Sequence, residues 1–405
     1  MNKHTGCSII EARDAFVCRI KEITETENIP ITEAAGRVSA SAADSGINIP
    51  AFDRSAMDGY AVKAEDIKGA DADSPVTLKV IGEIFAGDCG QMKYAPMTAV
   101  RIMTGAMIPE GYDCVVKQED TDLGMENVKV YKEIAPYTNY GFAGEDVKKG
   151  AVILKKGSLI KRSEIYRLAS SGLGYVSVVR KPKVTVISTG SELLSPGDIQ
   201  TPGKIYEGAG TMLSVSVKES GCVSENIIVP DSYEEIKEAV LSALKGSDLI
   251  ITIGGVSVGE KDLIPLVMNE LGAEEIFGRA DIQPGTPTRG YILSGRPVLC
   301  LSGNPYAALA NFDWYYPYVL SALTGCTDHR RETFKAVLIS DYEKINAHTR
   351  MVRAYYENGK VSLPAKTHFA SSLEGIEECN CYLLAPAGKK MAKGDEAEVY
   401  LMKNL

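Results

Sequence analysis

Apolar and polar positions follow two different patterns along this chain of 405 residues. Between residues 183 and 323, short apolar runs alternate with stretches in which apolar residues recur at helical spacing. The apolar runs are KVTVIS, CVSENIIV, DLIITI and PVLCLS, and the helical stretches are TMLSVSVKES, SYEEIKEAVLSALK, DLIPLVMNEL and PYAALANFDWYYPYVL. Strands that alternate with helices predict a doubly wound α/β domain with a mainly parallel sheet, at residues 181–328.

Two of these helices carry start signals in the sequence. Ser232 followed by Glu235 predicts a capping box, in which each side chain bonds the other residue's backbone N–H. Asn304 can cap a helix whose first residue is Pro305, where the missing N–H costs no hydrogen bond. Both signals mark the point at which the chain turns from a strand into a helix.

The segments on either side of the α/β region have other patterns. Residues 1–45 are predicted to be helical, and together with residues 146–180, a short strand and a helix, they are predicted to form a mixed helical domain. Residues 46–145 consist of short β segments separated by Gly and Pro and predict an inserted β domain. In residues 329–405, Asn358-Gly359 between two β runs predicts a hairpin in a barrel-like C-terminal β domain. The predicted fold class is therefore α/β plus β in a multidomain chain.

The composition is that of an ordinary water-soluble protein, with 45% hydrophobic and 24% charged residues. No apolar run approaches the length of a membrane span, and the amino terminus lacks the apolar core of a secretory signal, so we expect a cytoplasmic protein without a membrane partner. A formal charge of −9 argues against a nucleic-acid partner and favours a small ligand. The scattered cysteines are expected to be reduced, with Cys300 buried in a strand, and the four histidines form no zinc motif.

Three of the predicted strands end in small and polar residues. These ends are Ser188–Glu192, Gly254–Gly259 and Ser302–Pro305, and the pattern is clearest in DLIITIGGVSVGEKD, from Asp248 to Asp262. The carboxyl ends of parallel strands share one edge of a sheet, where the ligands of doubly wound sheets bind. Glycines let backbone N–H groups approach a ligand, and helix N-termini favour phosphate. We therefore predict a site for a phosphorylated ligand at this edge.

Acidic residues crowd the same predicted edge, at Glu192, Asp231, Glu260 and Asp262. These carboxylates would repel a phosphate, unless a divalent cation neutralises both or one carboxylate transfers a proton. Mg²⁺ is the cation that this set of donors favours. For each acid taken alone, a carboxylate at a helix start that faces solvent is an equally good interpretation.

Two short motifs resemble those of other classes of protein, an esterase and a protein with a phosphate-binding loop. Gly255–Gly259 matches the G-x-S-x-G pattern of esterases, but the later histidines fall in the predicted C-terminal β region and no HGGG-like oxyanion segment occurs. Gly197–Lys204, GDIQTPGK, resembles a phosphate-binding loop but has one spacer residue too many and Ile205 where Ser or Thr is needed. An esterase is therefore disfavoured, and we interpret the second motif as a surface turn.

Longer motifs resemble those of one family. The segment from Pro50 to Val62, PAFDRSAMDGYAV, closely resembles the signature of the MoeA and gephyrin E-domain family, the molybdopterin molybdenumtransferases. RIMTGA, GEDV, STGSEL, GKIY, GGVSVGEKD, PGTP and GNP are also similar to motifs of this family and occur in its order. The resemblance covers nearly the whole chain, and the motifs are jointly highly specific.

This resemblance implies an elongated homodimer whose α/β domain binds molybdopterin. The family takes adenylylated molybdopterin, cleaves its phosphoanhydride and inserts molybdate into the dithiolene, releasing AMP and molybdenum cofactor. Mg²⁺ is the implied cofactor. A molybdopterin adenylyltransferase and downstream molybdoenzymes are the implied partners.

The resemblance also implies roles for residues of this chain. Acidic and hydroxyl active-site positions of the family are matched by Asp58, Thr104, Asp146, Glu192, Asp231 and Asp262, of which Glu192, Asp231 and Asp262 are the implied metal ligands. Cofactor-binding positions are matched by Thr189, Gly190, Gly254, Gly255, Ser257, Val258, Gly259, Pro284, Gly285, Pro287, Gly303, Asn304 and Pro305. Molybdate-binding positions are matched by Arg350, Arg353, Thr367 and Ser371, which are otherwise interpreted as exposed strand residues.

The chain departs from the family pattern around PGTP. Gln283 and Thr286 stand where the family usually has lysines, and neither side chain replaces a positive charge near phosphate or molybdate. Arg279 and Arg289 are candidate substitutes for this charge.

Further departures are Glu207 and Gly208 in place of Asp and Ser or Asn after GKIY, and Ser302 in place of Pro before GNP. The alternative function is therefore a non-catalytic or altered-specificity molybdopterin-binding paralogue. A third possibility, an adenylyltransferase similar to MogA, accounts for the α/β domain but leaves the flanking segments unexplained.

Overall fold

The computed structural model describes residues 7–89, 92–256, 263–364 and 373–402. In this part of the chain the α-helices are α1 (Ile9–Val17), α2 (Arg162–Ser170), α3 (Ala209–Glu219), α4 (Tyr233–Leu244), α5 (Ile264–Glu270) and α6 (Pro305–Thr324). The strands are β1 (Thr26–Pro30), β2 (Ala43–Asp44), β3 (Arg54–Ser55), β4 (Gly59–Val62), β5 (Val76–Ile84), β6 (Thr98–Ile102), β7 (Cys114–Lys117), β8 (Asn127–Val130), β9 (Tyr140–Gly141), β10 (Val152–Leu154), β11 (Tyr175–Val179), β12 (Lys183–Thr189), β13 (Leu193–Leu194), β14 (Ile205–Tyr206), β15 (Val223–Val229), β16 (Leu249–Ile253), β17 (Glu274–Phe277), β18 (Ile282–Gln283), β19 (Arg289–Leu293), β20 (Arg296–Leu301), β21 (Phe334–Leu338), β22 (Thr349–Glu357), β23 (Lys360–Ser362), β24 (Cys381–Ala385) and β25 (Glu396–Leu401). None of the described helices is long and apolar enough to cross a membrane.

A six-stranded sheet lies at the centre of the α/β region, in the order β15-β12-β16-β20-β19-β17. The first four strands are parallel neighbours, and β19 and β17 complete the sheet in antiparallel pairing. Successive side chains of a strand face opposite sides, so Leu249 and Ile251 of β16 share a buried cluster with α3 and α6, whereas Ile250 shares one with α4 and α5. Helices on both faces of a mainly parallel sheet confirm the predicted mixed α/β fold.

Helix α6 is buried on all sides, since each of its 20 residues except Pro305 and Ala322 is buried. A helix that is apolar all round belongs in a protein core. The indole Nε1 of Trp314 in α6 donates to the carbonyl oxygen of Ile9 at 3.2 Å, which ties α1 to this core. Phe16 of α1 adds an edge-to-face contact with Phe277, with ring centroids 5.8 Å apart. The amino-terminal helix therefore packs with the α/β sheet.

The expectation that residues 1–45 are helical is wrong beyond Val17. β1 pairs antiparallel with β11, and β2 pairs antiparallel with β10. Phe16 and Ile23, which suggested one long helix, pack in the same core, but Ile23 lies in a loop and its N–H donates to Leu323 O of α6. Strand pairing with residues far along the chain overrides the approximate helical spacing. The domain boundaries inferred from the sequence stay predictions.

Two further sheets flank the α/β region in sequence. A five-stranded sheet has the order β7-β4-β6-β5-β8. In the C-terminal sheet, β22, β23, β21, β25 and β24 follow one another and β24 pairs back with β22, so this sheet is a closed barrel. The predicted hairpin is present, since Asn358 and Gly359 form the turn between β22 and β23 with φ of 49° and 78°.

An ion cluster around a buried carboxylate lies at the opposite edge of the α/β sheet from Gly190, Gly254 and Gly303. The carboxylate of Asp248, 2% exposed, accepts hydrogen bonds from both terminal nitrogens of Arg180 at 2.7 and 2.9 Å, from Arg296 at 3.0 Å and from the N–H of Lys183 at 2.8 Å. Burial alone raises the pKa of Asp248, but these hydrogen bonds and charges outweigh it and hold the pKa below its usual value. The cluster joins the start of β12 to the segment before β16.

Candidate functional site

Three glycine-containing turns meet at the carboxyl edge of the α/β sheet. Strands β12, β16 and β20 are neighbours and are followed within two residues by Gly190, Gly254 and Gly303. The N–H of Gly254 donates to Leu301 O at 3.1 Å, and a Cβ on Gly303 would lie 3.4 Å from the Cα of Gly254. The structure therefore brings the three predicted strand ends together.

The turn after β16 requires glycine for two reasons. Gly254 and Gly255 have φ of 93° and 62°, in the left-handed region. A Cβ on Gly254 would also lie 2.6 Å from the carbonyl oxygen of Thr189 and 2.8 Å from its Oγ1. The turn after β16 therefore lies directly against the end of β12.

Backbone donors at this edge are available to a ligand. Among the residues that the structure describes, the N–H groups of Glu192, Gly255 and Gly303 donate to no protein acceptor. Clustered N–H groups of this kind make an anion-binding concavity. The arrangement supports the predicted site for a phosphorylated ligand.

Two helix N-termini reach the same edge, and they differ in what occupies them. Asn304 Oδ1 accepts a hydrogen bond from the N–H of Ala307 at 3.0 Å and caps α6 above Pro305, as predicted. At the start of α3, the buried carboxylate of Glu207 accepts hydrogen bonds from the N–H groups of Gly210 and Thr211. The chain thus supplies its own anion at α3, so an external anion is more readily bound near α6.

Two of the predicted metal ligands lie in neighbouring turns. The N–H of Ser191 donates to Asp231 Oδ2 at 3.2 Å, and the N–H of Asp231 donates to Ser191 Oγ at 3.0 Å. Glu192 follows directly and its carboxylate lies near Gly190, where a Cβ would be 2.9 Å from Oε2. Within the described ranges, no group of three or more His, Cys, Asp or Glu residues could hold a metal ion. Carboxylate oxygens are nevertheless the ligands that Mg²⁺ prefers, so the donor type of this pair fits Mg²⁺.

Lys204 and Ser191 also lie at this edge, and neither residue was given a role from the sequence. The Nζ of Lys204 donates to Ser191 O at 2.5 Å. The GDIQTPGK motif that contains Lys204 is a largely exposed turn, as predicted. The lysine itself was the available signal in the sequence, but it received no role once the motif was interpreted as a surface turn.

The PGTP segment, Pro284–Pro287, packs against α6. Asn311, which is wholly buried, donates from Nδ2 to Pro284 O at 3.0 Å and to Ala307 O at 2.8 Å. Gly285 has a φ of 97°, and a Cβ there would lie 1.9 Å from Asn311 Nδ2. Asn311 lies about two helical turns beyond the start of α6. Asn311 was not predicted as a site residue, although a single Asn inside an otherwise apolar helix was visible in the sequence.

The two described arginines of the predicted molybdate site contact the α/β region from the barrel. Arg350 lies opposite Gln283 in the parallel pairing of β22 with β18. Arg353 is 1% exposed, stacks on the ring of Tyr306 in the first turn of α6 at 4.7 Å, and donates to Glu374 O at 3.0 Å. The interpretation of Arg353 as an exposed strand residue is therefore wrong. Both arginines lie where the barrel meets PGTP and α6.

A second group of predicted residues lies away from the α/β sheet, with Asp58 directly before β4, Thr104 shortly after β6, and Asp146 in the segment between β9 and β10. The N–H and the Oγ1 of Thr104 both donate to Asp58 Oδ1 at 2.7 Å, and these hydrogen bonds hold the pKa of Asp58 below its usual value. The N–H of Asp146 donates to Ile49 O at 3.0 Å. Across the described part of the chain, no hydrogen bond or ion pair joins Asp58, Thr104 or Asp146 to the turns that carry Glu192 and Asp231.

Several predictions for the site have other outcomes. Ser257, Val258, Gly259, Asp262, Thr367 and Ser371 lie outside the described residues. The proposal that Arg289 replaces a missing lysine is not supported, because its Nη1 lies 2.9 Å from the carboxylate of Glu275 on the neighbouring edge strand. Arg279, the other candidate, is exposed. Thr286 Oγ1 donates to Ile282 O at 2.7 Å, so this hydroxyl already serves the backbone.

The chain is similar to known proteins over nearly its whole length. Residues 7–172 match the MoeA N-terminal region (domain I and II), and residues 185–321 match a probable molybdopterin binding domain. The chain is 35% identical over 397 residues to a molybdopterin molybdenumtransferase of Bacillus subtilis, covering 96% of this chain and 92% of that protein. It is 33% identical over 402 residues to a molybdopterin molybdenumtransferase of Staphylococcus epidermidis, and this match covers 98% of this chain and 96% of that protein.

A crystal structure of a molybdopterin biosynthesis MoeA protein from Pyrococcus horikoshii matches with a TM-score of 0.84 at 30% identity. The match covers 98% of this chain and 100% of that chain. The likeness therefore extends over the whole architecture and not only over the α/β sheet.

Proposed function

The chain belongs to the MoeA family of molybdopterin molybdenumtransferases, enzymes of molybdenum cofactor biosynthesis, and we propose that it inserts molybdate into adenylylated molybdopterin in a Mg²⁺-dependent reaction. In this reaction water cleaves the phosphoanhydride between the pterin phosphate and AMP. AMP leaves, and the two dithiolene sulfurs bind molybdenum in place of one oxygen of molybdate, which leaves as water with the two thiol protons.

The observation that carries this proposal is the group of glycine turns at the carboxyl edge of the α/β sheet. The N–H groups of Gly255 and Gly303 have no protein acceptor in the described residues, and the start of α6 lies beside them. Such donors bind phosphate oxygens without a side chain between ligand and backbone. In the proposed reaction they hold the phosphoanhydride in place for attack by water.

Glu192 and Asp231, with Asp262 outside the described residues, are the proposed ligands of Mg²⁺. A bound Mg²⁺ neutralises negative charge on the phosphates, which the carboxylates would otherwise repel. Ser191 keeps Asp231 in place, because the two residues exchange hydrogen bonds at 3.0 and 3.2 Å. The side chain of Glu192 remains next to the turn at Gly190.

Molybdate is proposed to bind where the barrel meets PGTP. Arg350 lies opposite Gln283 at this junction, and Arg353 carries a buried positive charge beside the first turn of α6. No carboxylate in the described residues is paired with Arg353. A buried guanidinium without a counter-ion favours a bound anion, since leaving it unpaired costs free energy. Thr367 and Ser371 are proposed to contribute hydroxyl donors.

Asp58, Thr104 and Asp146 are proposed to act in the same reaction. Thr104 holds the Asp58 carboxylate in place with two hydrogen bonds, which also lower its pKa, so this carboxylate is suited to orient water or a cation. A homodimer is the proposed assembly, and a molybdopterin adenylyltransferase and downstream molybdoenzymes are the proposed partners.

The second candidate function is a molybdopterin-binding paralogue without turnover, which the lack of lysines at Gln283 and Thr286 favours. Incubation with adenylylated molybdopterin, molybdate and Mg²⁺ separates the two functions. The enzyme releases AMP and yields molybdenum cofactor, and Asp262→Asn is expected to slow this release. Tight binding of the substrate without release of AMP would reject the enzyme and favour the paralogue.

A further inference from the structure

The GDIQTPGK motif forms a turn that fixes the direction of its lysine. Thr201–Lys204 is a β-turn, in which the N–H of Lys204 donates to Thr201 O at 3.1 Å and Gly203 has a φ of 81°. Proline at the second position and a glycine with positive φ at the third are typical of a type II turn. Gln200 Nε2 donates to Lys204 O at 2.8 Å and closes the turn. The backbone of Lys204 is therefore held from both sides.

Strand pairing then carries Lys204 to the carboxyl edge of the α/β sheet. β14 pairs parallel with β13, and the N–H of Ile205 donates to Glu192 O at 2.9 Å. The side chain of Lys204 is half-buried, and its Nζ donates to Ser191 O. The ammonium group thus lies within one residue of Glu192, in the turn that follows β12.

The acceptor of this hydrogen bond is itself fixed in place. Ser191 exchanges two hydrogen bonds with Asp231, so the peptide that binds Lys204 is anchored between two loops. An ammonium has three donors, and one of them is used by Ser191 O. In the described residues Lys204 forms no ion pair with a carboxylate. Its charge and two of its donors therefore remain available to an anion.

The charge of Lys204 can replace the positive charge of the lysines that this chain lacks around PGTP. Gln283 and Thr286 carry no charge, and the guanidinium of Arg289 is paired with Glu275. We propose that Lys204 is a phosphate-binding residue, which contacts the phosphate or pyrophosphate of a nucleotide ligand at the strand-end turns. This role rests on the proposed function of the same edge. The GDIQTPGK motif would then help to bind phosphate through its lysine, although its backbone is not that of a phosphate-binding loop.

The test measures binding of AMP and of inorganic pyrophosphate to the full chain by calorimetry. Lys204→Gln removes the charge but keeps a donor for Ser191 O, and Lys204→Arg keeps the charge. Lys245→Gln is the matched control, because Lys245 is an exposed lysine after α4, at the opposite edge of the same sheet. Each variant is measured at about 50 mM and about 200 mM salt, since screening separates a charge effect from a structural one.

We expect Lys204→Gln to weaken binding of both probes about 5- to 10-fold at the lower salt, and less at the higher salt. Lys204→Arg and Lys245→Gln are expected to stay within about twofold of the unchanged protein. Unchanged binding in Lys204→Gln would overturn the proposal. Equal losses in Lys204→Gln and Lys204→Arg, with a lowered thermal midpoint and no salt dependence, would also overturn it, because they indicate a structural role. If the unchanged protein bound neither probe, the proposed function of this edge would fail as well.

Discussion

Substitution of Gly254 by Ala tests the close contact between the turns after β16 and β12. The added methyl group would lie 2.6 Å from the carbonyl oxygen of Thr189, which is backbone and cannot rotate away. A left-handed backbone costs Ala about 1–2 kcal/mol, and overpacking adds about 1–3 kcal/mol. Gly254→Ala should therefore lower the free energy of unfolding by about 2–5 kcal/mol.

Urea denaturation followed by the fluorescence of Trp314 measures this loss, because Trp314 is the single tryptophan and lies buried in α6 of the same domain. Gly246→Ala is the matched control, since a Cβ at Gly246 would meet no atom within 4 Å and its φ is not positive. The control should stay within about 0.5 kcal/mol of the unchanged protein. Gly254→Ala should also weaken binding of AMP. Equal denaturation midpoints and equal AMP affinities for the two variants would show that Gly254 does not lie in close contact with Thr189.

Three further predictions concern side chains. Asp248→Asn should lower the free energy of unfolding by about 1–3 kcal/mol in urea denaturation, because it removes the charged acceptor of Arg180 and Arg296, whose side chains are 21% and 45% exposed. Since the folded pKa of Asp248 lies below the ordinary value of 3.8, its contribution is complete above that value and is lost as the pH falls through the folded pKa, so the deficit of Asp248→Asn should shrink in acid. Thr104→Val removes one of two hydrogen bonds to Asp58 and should raise the pKa of that carboxyl in an NMR titration; an unchanged pKa would contradict the assigned contact. Asn311→Ala leaves Pro284 O without its donor and should cost about 1–3 kcal/mol in urea denaturation, whereas an unchanged midpoint would show that Asn311 does not hold PGTP.

Local signals in the sequence predicted those parts of the fold that short stretches of chain determine. Asn304 and Pro305 marked the start of α6, and Asn358-Gly359 marked the hairpin of the barrel, because caps and two-residue turns are set by neighbouring residues. The capping box failed in part. Ser232 is the N-cap of α4, but its side chain makes no capping hydrogen bond. The residue type at the cap therefore predicted where α4 begins but did not predict the capping hydrogen bond.

Predictions failed where residues distant in sequence compete for a segment. The strand Thr26–Pro30 has its partner at Tyr175–Val179, and no local pattern in residues 1–45 contains that information. Burial of Arg353 was missed for the same reason, since its ring partner Tyr306 belongs to α6. Pairing between distant segments is a property of the fold and not of a sequence window.

In the candidate site, too, features set by neighbouring residues could be predicted, and contacts between distant residues could not. Glycines at the ends of β12, β16 and β20 could be recognised in the sequence, because an apolar run that ends in Gly predicts a strand end. The hydrogen bond from Lys204 to Ser191 could not be recognised, since it depends on the pairing of β13 with β14 and on the turn that ends at Lys204. Family resemblance likewise gave Lys204 no role.

The most direct test of this account is a crystal structure of the full chain with bound AMP. We predict that the phosphate lies at the carboxyl edge of the α/β sheet, within hydrogen-bonding distance of the N–H groups of Gly255 or Gly303. A phosphate bound elsewhere, with these N–H groups facing only solvent, would contradict it.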